Sequence, residues 1–147
     1  MILDSQMSLS RAQSIAAAAG DVVSTDIYDT GAAVDAGNGE DLSLVIQTVA
    51  AVTSGGSATV QFVLQTSPVE NFGSGVVEFP LTGARALAAL TANTVQYRGR
   101  VPIGLLRYVR VVYRIATATT TAGSATAFFV KDLQHAPAAP TTVPSVK

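Results

Sequence analysis

The 147-residue chain has no cysteine, no tryptophan and a single histidine. The missing cysteines exclude a disulfide framework, thiol catalysis and a cysteine-ligated zinc site. The histidine, His135, opens a proline-containing terminal segment, where it lacks the enclosed partner that a general base needs. The sequence also contains no G-x-x-x-x-G-K-[ST] phosphate loop and no G-x-S-x-G motif. We therefore expect a protein that is not an enzyme, with no catalytic residues and no cofactor.

Charged residues are scarce as well, at 13% of the chain, which is about half the usual share. They are also unevenly placed: residues 1–78 hold nine acidic and one basic residue, whereas residues 79–147 hold eight basic and one acidic residue. Two halves of opposite sign either pair inside the domain or present opposite faces to neighbours. So few charges cover a monomer poorly, which favours a surface that is buried against protein partners.

Long hydrophobic runs are absent too. No apolar segment approaches the roughly 18 residues that a membrane-spanning helix needs. The first 15 residues lack the basic and apolar regions of a secretory signal. With a length typical of one domain, the chain is expected to be soluble.

Alternating apolar and polar residues predict a β protein. In SATVQFVLQT (57–66), apolar side chains recur at every second position, and DLSLVIQTVAAV (41–52) is apolar on both faces, as in a central strand. The SGG between them, residues 54–56, predicts a hairpin turn. These features are typical of a sandwich, jelly roll or barrel. The predicted strands are 21–29, 41–52, 57–66, 75–81, 93–103, 107–115 and 124–133.

Helix signals are weak. Residues 10–20 have a serine N-cap candidate, four consecutive alanines and a final glycine, so they predict either a short helix or an arm. Residues 84–90 are a second weak helical candidate. We therefore divide the chain into an N-terminal arm (1–20), a β-sandwich domain (21–134) and an extended or disordered proline-containing tail (135–147).

Acidic residues cluster in two places where carboxylate chemistry is conceivable. Asp35, Glu40 and Asp41 lie in DAGNGED, and Asp26 and Asp29 flank a predicted strand segment. A carboxylate pair in a cleft can hydrolyse glycosides, and oxygen ligands suit calcium. The DAGNGED segment has the composition of a turn and does not match the calcium loop of an EF-hand. A polar loop without a metal is therefore favoured there.

The stretch LLRYVRVVYRI (105–115) mixes arginine with tyrosine, which raises the possibility of nucleic-acid binding. On a strand, however, its arginines divide between the two faces, and no lysine precedes Lys131. Arginine without lysine, beside aromatics, is typical of protein interfaces. The stretch therefore predicts a strand that turns Tyr108, Arg110 and Arg114 toward a protein neighbour or toward the acidic half of its own chain.

Taken in order, several segments resemble the capsid cement (decoration) proteins of tailed phages of the Bordetella-phage type. The resembling segments are MILDSQMSLSRAQSI, VVSTDIYDTG, GEDLSLVIQT, GGSATVQFVLQTS, VPIGLLRYVRVVYRI and AGSATAFFVKDLQ, which together span most of residues 1–134. No single motif is specific, and the ordered series carries the likeness. It implies a jelly-roll-like β-sandwich that sits on the outside of a phage head.

The resemblance also implies partners. The protein would self-associate, with a dimer favoured and a trimer possible, and would clamp neighbouring major capsid subunits of the HK97-like fold. No nucleic acid, membrane or cofactor is implied, and the protein would be made in the host cytoplasm before joining the virion. The alternative is a receptor- or glycan-binding module of a phage tail or fibre. The expected contact residues are Ile2, Leu3, Met7, Leu9, Arg98, Arg100, Arg107, Tyr108, Arg110 and Arg114.

Overall fold

The computed structural model describes residues 5–36, 38 and 42–131. Every strand pairing in these residues is antiparallel. Two three-residue 3₁₀ turns, Ser5–Met7 and Leu87–Ala89, accompany the strands. The strands are β1 (Ser8–Ser14), β2 (Gly20–Val23), β3 (Tyr28–Asp29), β4 (Leu42–Ser54), β5 (Thr59–Ser67), β6 (Val77–Pro80), β7 (Arg85–Ala86), β8 (Thr94–Arg100), β9 (Tyr108–Ala116) and β10 (Thr120–Lys131).

The strands form two sheets that enclose one core. The first sheet has the order β1-β10-β4-β8, and the second has the order β2-β9-β5-β6, with β3 also on β9 and β7 also on β5. Counting β2–β3 and β6–β7 each as one interrupted strand gives orders of 1-8-3-6 and 2-7-4-5. Successive strands alternate between the two sheets except for strands 4 and 5, which are paired neighbours in the second sheet. This is the jelly-roll arrangement of two interlocked Greek keys. The predicted all-β, jelly-roll-like antiparallel sandwich is confirmed.

Alternation along each strand places the core between the sheets. In β9, Val109, Val111 and Tyr113 point inward and are fully buried, as the period of two requires. Aromatic rings pack edge to face across the core: the ring centroids of Phe62 and Tyr113 are 5.9 Å apart. The hydroxyl groups of Tyr113 and Ser10 form a buried hydrogen bond between the sheets.

The predicted hairpin at residues 54–56 is wrong. The two strands that flank it belong to different sheets, so the turn carries the chain across the sandwich and does not join paired neighbours. Strand β4 pairs with β10 and β8, as expected for a central strand. The turn composition of residues 54–56 indicates that the chain reverses there. Which strand pairs with β4 depends instead on contacts with β10, which lies far from β4 in the sequence.

Both helical candidates take other conformations in the structure. Within residues 10–20, β1 continues to Ser14, and the Ile15 amide then donates to the Gly123 carbonyl over 3.0 Å. The predicted N-terminal arm therefore contributes a strand to the sandwich, because Leu9 and Ile15 are fully buried in the core. Residues 84–90 form β7 and a single 3₁₀ turn. The predicted tail lies outside the described residues.

A side-chain clamp joins the two sheets at each open side of the sandwich. On one side, Gln13 of β1 donates to the Val23 carbonyl over 2.7 Å and accepts from the Thr25 amide over 2.9 Å. On the other side, Arg85 of β7 donates to the Gln96 carbonyl of β8 over 3.1 Å. These bonds occupy backbone groups on edge strands, which otherwise invite pairing with another chain.

Within the described residues, no helix is long and apolar enough to cross a membrane.

Candidate protein-interaction surface

The predicted N-terminal contact residues have different positions. Ile2 and Leu3 lie outside the described residues. Met7 is partly buried against the core, and Leu9 is fully buried between the sheets. The prediction that Leu9 contacts a partner is therefore wrong for this fold, because its side chain is used to fill the core of its own domain.

The predicted faces of β9 match the structure. Val109, Val111 and Tyr113 lie in the core, so Tyr108, Arg110 and Arg114 lie on the outer face of the second sheet. In the register, Arg114 lies beside Asp21 of β2 on one side and beside Gln61 of β5 on the other. The outer face of this sheet is therefore the place where the basic half of the chain meets the acidic half.

Arg114 binds two carboxylates of its own chain. It donates from Nε and Nη2 to both oxygens of Asp21, over 2.8 and 2.9 Å, and from Nη2 to Glu78 of β6 over 2.9 Å. Hydrogen bonds from Arg114 lower the pKa of Asp21 and of Glu78, and both carboxylates raise the pKa of Arg114. The three side chains join β2, β9 and β6, so one guanidinium connects both edges of the sheet to its centre.

Arg110 extends the same network. Its Nε donates to Gln65 Oε1 over 2.8 Å, and Gln65 Nε2 donates to Glu78 Oε1 over 2.6 Å. Its guanidinium carbon also lies 4.0 Å from the ring centroid of Phe72, in the geometry of a cation–π contact. Desolvation lowers the pKa of Arg110, and the charge of Asp21 opposes that shift. We call Asp21, Gln65, Phe72, Glu78, Arg110 and Arg114 the β9 network.

The β9 network covers two valines on the outside of the sheet. Val63 and Val112 are paired in the register of β5 and β9, and both are fully buried although they face away from the core. Val112 lies between Arg110 and Arg114 along its strand. Arginine can lay its methylene groups over apolar surface while its charged end stays hydrated. The network therefore shields apolar surface that a bare strand would expose.

Arg107 makes a separate ion pair. Its Nε and Nη2 donate to the two oxygens of Asp29, over 2.8 and 3.0 Å, and its guanidinium lies 5.0 Å from the ring centroid of Tyr108. The hydrogen bonds from Arg107 and from the Gly31 amide lower the pKa of Asp29. Both members of the pair are exposed, so the pair contributes little to stability.

Arg98 and Arg100 lie on the opposite side of the molecule from the β9 network. Both belong to β8 of the first sheet, where they pair in register with Val45 and Ser43. Val45 joins Phe128 and Val130 in an apolar cluster that is separate from the main core. The predicted basic contact residues therefore do not form one patch, because the two sheets carry them on opposite outer faces.

The acidic candidates have structural contacts where they are described. Both carboxylate oxygens of Asp35 accept from backbone amides, from Gly104 over 2.7 Å and from Leu105 over 3.1 Å. Glu40 and Asp41 lie outside the described residues. In the described part of the chain, no group of three or more histidine, cysteine, aspartate or glutamate side chains is placed to hold a metal ion.

A family model named Bbp16 matches residues 9–129. That range begins in β1, ends in β10 and includes every strand between them. The chain belongs to the Bbp16 family. Bbp16 is a Bordetella phage protein family, so the chain is a phage structural, virion-associated protein. A comparison with curated proteins gives no match.

The surface of this Bbp16-family chain also has an open groove of about 910 Å³. It lies beside edge strand β1 and the segment between β2 and β3, and its lining is mostly polar. The lining residues are Gln6, Ser8, Arg11, Thr25, Asp26, Ile27, Tyr28 and Asp29. Asp26 and Asp29, the two aspartates that flank a predicted strand segment, both line it, but Asp29 is already bound to Arg107.

The sequence pattern did not indicate three members of the β9 network, namely Gln65, Phe72 and Glu78. The opposite charges of the two halves did indicate that partners for the arginines existed in residues 1–78. The register decided which ones: Gln65 pairs with both Arg110 and Glu78 across neighbouring strands. Strand register does not indicate Phe72, because this residue lies in a loop outside the strands, where its φ is positive at 53°.

Proposed function

We propose that this protein is a capsid cement (decoration) protein. It binds the outer surface of a phage head and stabilises contacts between major capsid subunits of the HK97-like fold. The observation that carries the proposal is the Bbp16 match across the whole jelly roll. The ordered likeness of the sequence to phage cement proteins supplies the specific role within the virion.

The charge arrangement supports this role over nucleic-acid binding. Arg107 and Arg114 are paired with carboxylates of the same chain, and Arg110 is bound to a glutamine and stacked on a phenylalanine. Phosphate binding needs a clustered basic face, and these pairings neutralise the face that the sequence offers. We therefore propose protein partners and neither nucleic acid nor membrane.

A cement protein works by burying surface, and a rigid domain is suited to that task. The β9 network and the two side-chain clamps hold the sheets in one arrangement. Binding should therefore cost the domain little conformational entropy. Each copy can bind weakly because many copies act together on one shell. We propose that the protein is not an enzyme, needs no cofactor, acts on the capsid exterior and self-associates, with a dimer favoured over a trimer.

Co-sedimentation with phage heads that lack cement tests the proposal. Labelled protein should bind assembled heads saturably and should not bind free capsid subunits, because the proposed contact spans neighbouring subunits. Heads with bound protein should also lose their contents at a higher temperature than bare heads. Absence of binding to heads, together with binding to a glycan array, would instead favour the tail or fibre module.

A further inference from the structure

The turn between β8 and β9 presents one isoleucine to solvent. Ile103 is 70% exposed, more than any other large hydrophobic residue in the described part of the chain. The residues two positions before and after it, Val101 and Leu105, are only 2% and 3% exposed. The turn is therefore anchored in the core on both sides of a projecting apolar tip.

Hydrogen bonds hold this turn on both sides of its tip. Before the tip, the Val101 amide donates to the Leu42 carbonyl over 3.0 Å. After the tip, the amides of Gly104 and Leu105 donate to Asp35, over 2.7 and 3.1 Å. Proline at position 102 fixes one further backbone angle, and Gly104 has a φ of +97°, which favours glycine. The tip is thus preorganised, and binding through it would lose little conformational entropy.

A second exposed apolar residue lies beside the same contact. Val34 is 54% exposed, next in rank after Ile103 among the described large hydrophobic residues. It directly precedes Asp35, whose carboxylate binds Gly104, the residue after Ile103. Two loops that are distant in the sequence therefore bring their most exposed apolar side chains to one end of the sandwich.

The shape and polarity of this end distinguish between possible partners. In a two-fold contact a patch meets its own copy, and two projecting tips that face each other bury little area. The large groove on the described surface is a poor receptor for an isoleucine in a second copy, because six of its eight lining residues are polar or charged and only Ile27 and Tyr28 are apolar. A projecting apolar tip instead fits an apolar hollow on a different protein.

We propose that the Val101–Leu105 turn, with Ile103 at its tip and Val34 beside it, is the contact that docks this protein into an apolar depression on the assembled capsid shell. The inference rests on the proposed cement function and names the surface that performs it. Asp35 is the positioning residue that holds the turn. The β9 network, on the outer face of the second sheet, is then a stabilising feature of the domain and not the docking contact.

Ile103→Ser tests the docking contact, with Val95→Ser as the matched control. Val95 is 50% exposed but lies in β8, near the opposite end of the sandwich from the turn. Binding isotherms on cement-free heads should show about a tenfold or greater loss of affinity for Ile103→Ser, the loss expected when burial of one aliphatic side chain is removed. Val95→Ser should bind as the unchanged protein does.

Asp35→Ala tests the positioning role without altering the tip. Amide hydrogen exchange at Gly104 and Leu105 should become faster, and affinity for heads should fall even though Ile103 is intact. Unfolding curves of all variants establish that the domain remains folded. Unchanged affinity of Ile103→Ser on heads would overturn the docking surface and leave the cement function standing.

Two further outcomes are distinguishable. If light scattering shows that Ile103→Ser loses self-association while its affinity for heads is unchanged, the turn is a contact between copies and the inference is wrong. If the unchanged protein does not bind heads at all, the proposed function fails first, and the docking surface fails with it.

Discussion

Arg114 and Asp21, 93 residues apart in the sequence, form a two-bond ion pair on the outer face of the second sheet. The same guanidinium also binds Glu78 from the other edge of that sheet. An arginine between two carboxylates is held by several charge-assisted hydrogen bonds, which are stronger than neutral ones. This pairing joins the acidic half of the chain to its basic half within one sheet.

Replacing Arg114 should destabilise the fold. Arg114→Ala removes its bonds to Asp21 and Glu78 and uncovers Val112, so we expect the free energy of unfolding to fall by about 1–2 kcal/mol, a modest value because the pair is partly exposed. Urea unfolding measures it. In a double-mutant cycle, Asp21→Asn should cost less in the Arg114→Ala background than in the unchanged protein, and strict additivity would contradict direct coupling.

The same geometry predicts the effect of reversing charge at Arg110 and Arg114. With Arg110→Glu and Arg114→Glu, the two new carboxylates and those of Asp21 and Glu78 would make four acidic groups close together. The double variant should therefore unfold at a lower urea concentration than Arg110→Ala or Arg114→Ala. Weak binding of such a variant to heads would not identify a contact surface, so this pair is unsuitable for mapping the interface.

Stability should fall in mild acid. The pKa values of Asp21 and Glu78 are lowered in the folded protein by Arg114, so the unfolded chain binds protons at a higher pH than the folded chain does. The stabilisation is present above the ordinary carboxylate pKa values and is lost as the pH falls below about 5. Melting temperatures between pH 7 and pH 3 should decline less steeply for Glu78→Gln. An identical decline in both proteins would contradict the linkage.

The buried pair of Ser10 and Tyr113 should be sensitive to removal of either hydroxyl. Tyr113→Phe leaves the Ser10 hydroxyl buried without its partner, and we expect a loss of about 1–3 kcal/mol in chemical unfolding. The double variant with Ser10→Ala should lose less than the sum of the two single variants. A double-variant loss equal to that sum would argue against the hydrogen bond.

Tyr113 also predicts an alkaline transition. Burial raises its pKa to about 12, whereas an ordinary tyrosine ionises near 10. Because the unfolded chain releases this proton first, stability contributed by the neutral group should be lost as the pH rises from about 10 to 12. Over this pH range the free energy of unfolding should therefore fall less in Tyr113→Phe than in the unchanged protein. An equal fall in both proteins would contradict the assignment of this transition to Tyr113.

Gly123 in β10 should resist substitution. Its φ is +135°, and an added Cβ would lie 2.9 Å from a side-chain atom of Val52 and 3.0 Å from its backbone. Gly123→Ala should destabilise the domain by about 1–3 kcal/mol. Gly55→Ala is the matched control, because nothing lies within 4 Å of its added Cβ. Equal unfolding curves for the two variants would show that the β4–β10 contact relaxes freely.

Local sequence pattern was sufficient to predict β4, β5 and β9 and the two faces of β5 and β9, but it did not predict β1. Alternation in β5 and β9 is set by side chains that point to opposite faces at successive residues, so the inward set can be read from the letters alone. The double-sided apolar character of β4 likewise marked a central strand. Residues 10–20 show the limit of such patterns, because the weak helical preference of their alanines was overridden by burial of Leu9 and Ile15.

The sequence by itself determined the fold class, the faces of β9 and the presence of acidic partners somewhere in residues 1–78. Only the tertiary structure decided that residues 54–56 change sheets, that Arg98 and Arg110 lie on opposite sides, and that Asp35 holds the turn that presents Ile103. The physical reason is the distance along the sequence over which each effect acts. Side-chain direction follows from the local backbone, whereas pairing partners and loop contacts follow from free energies summed over residues that are distant in the sequence.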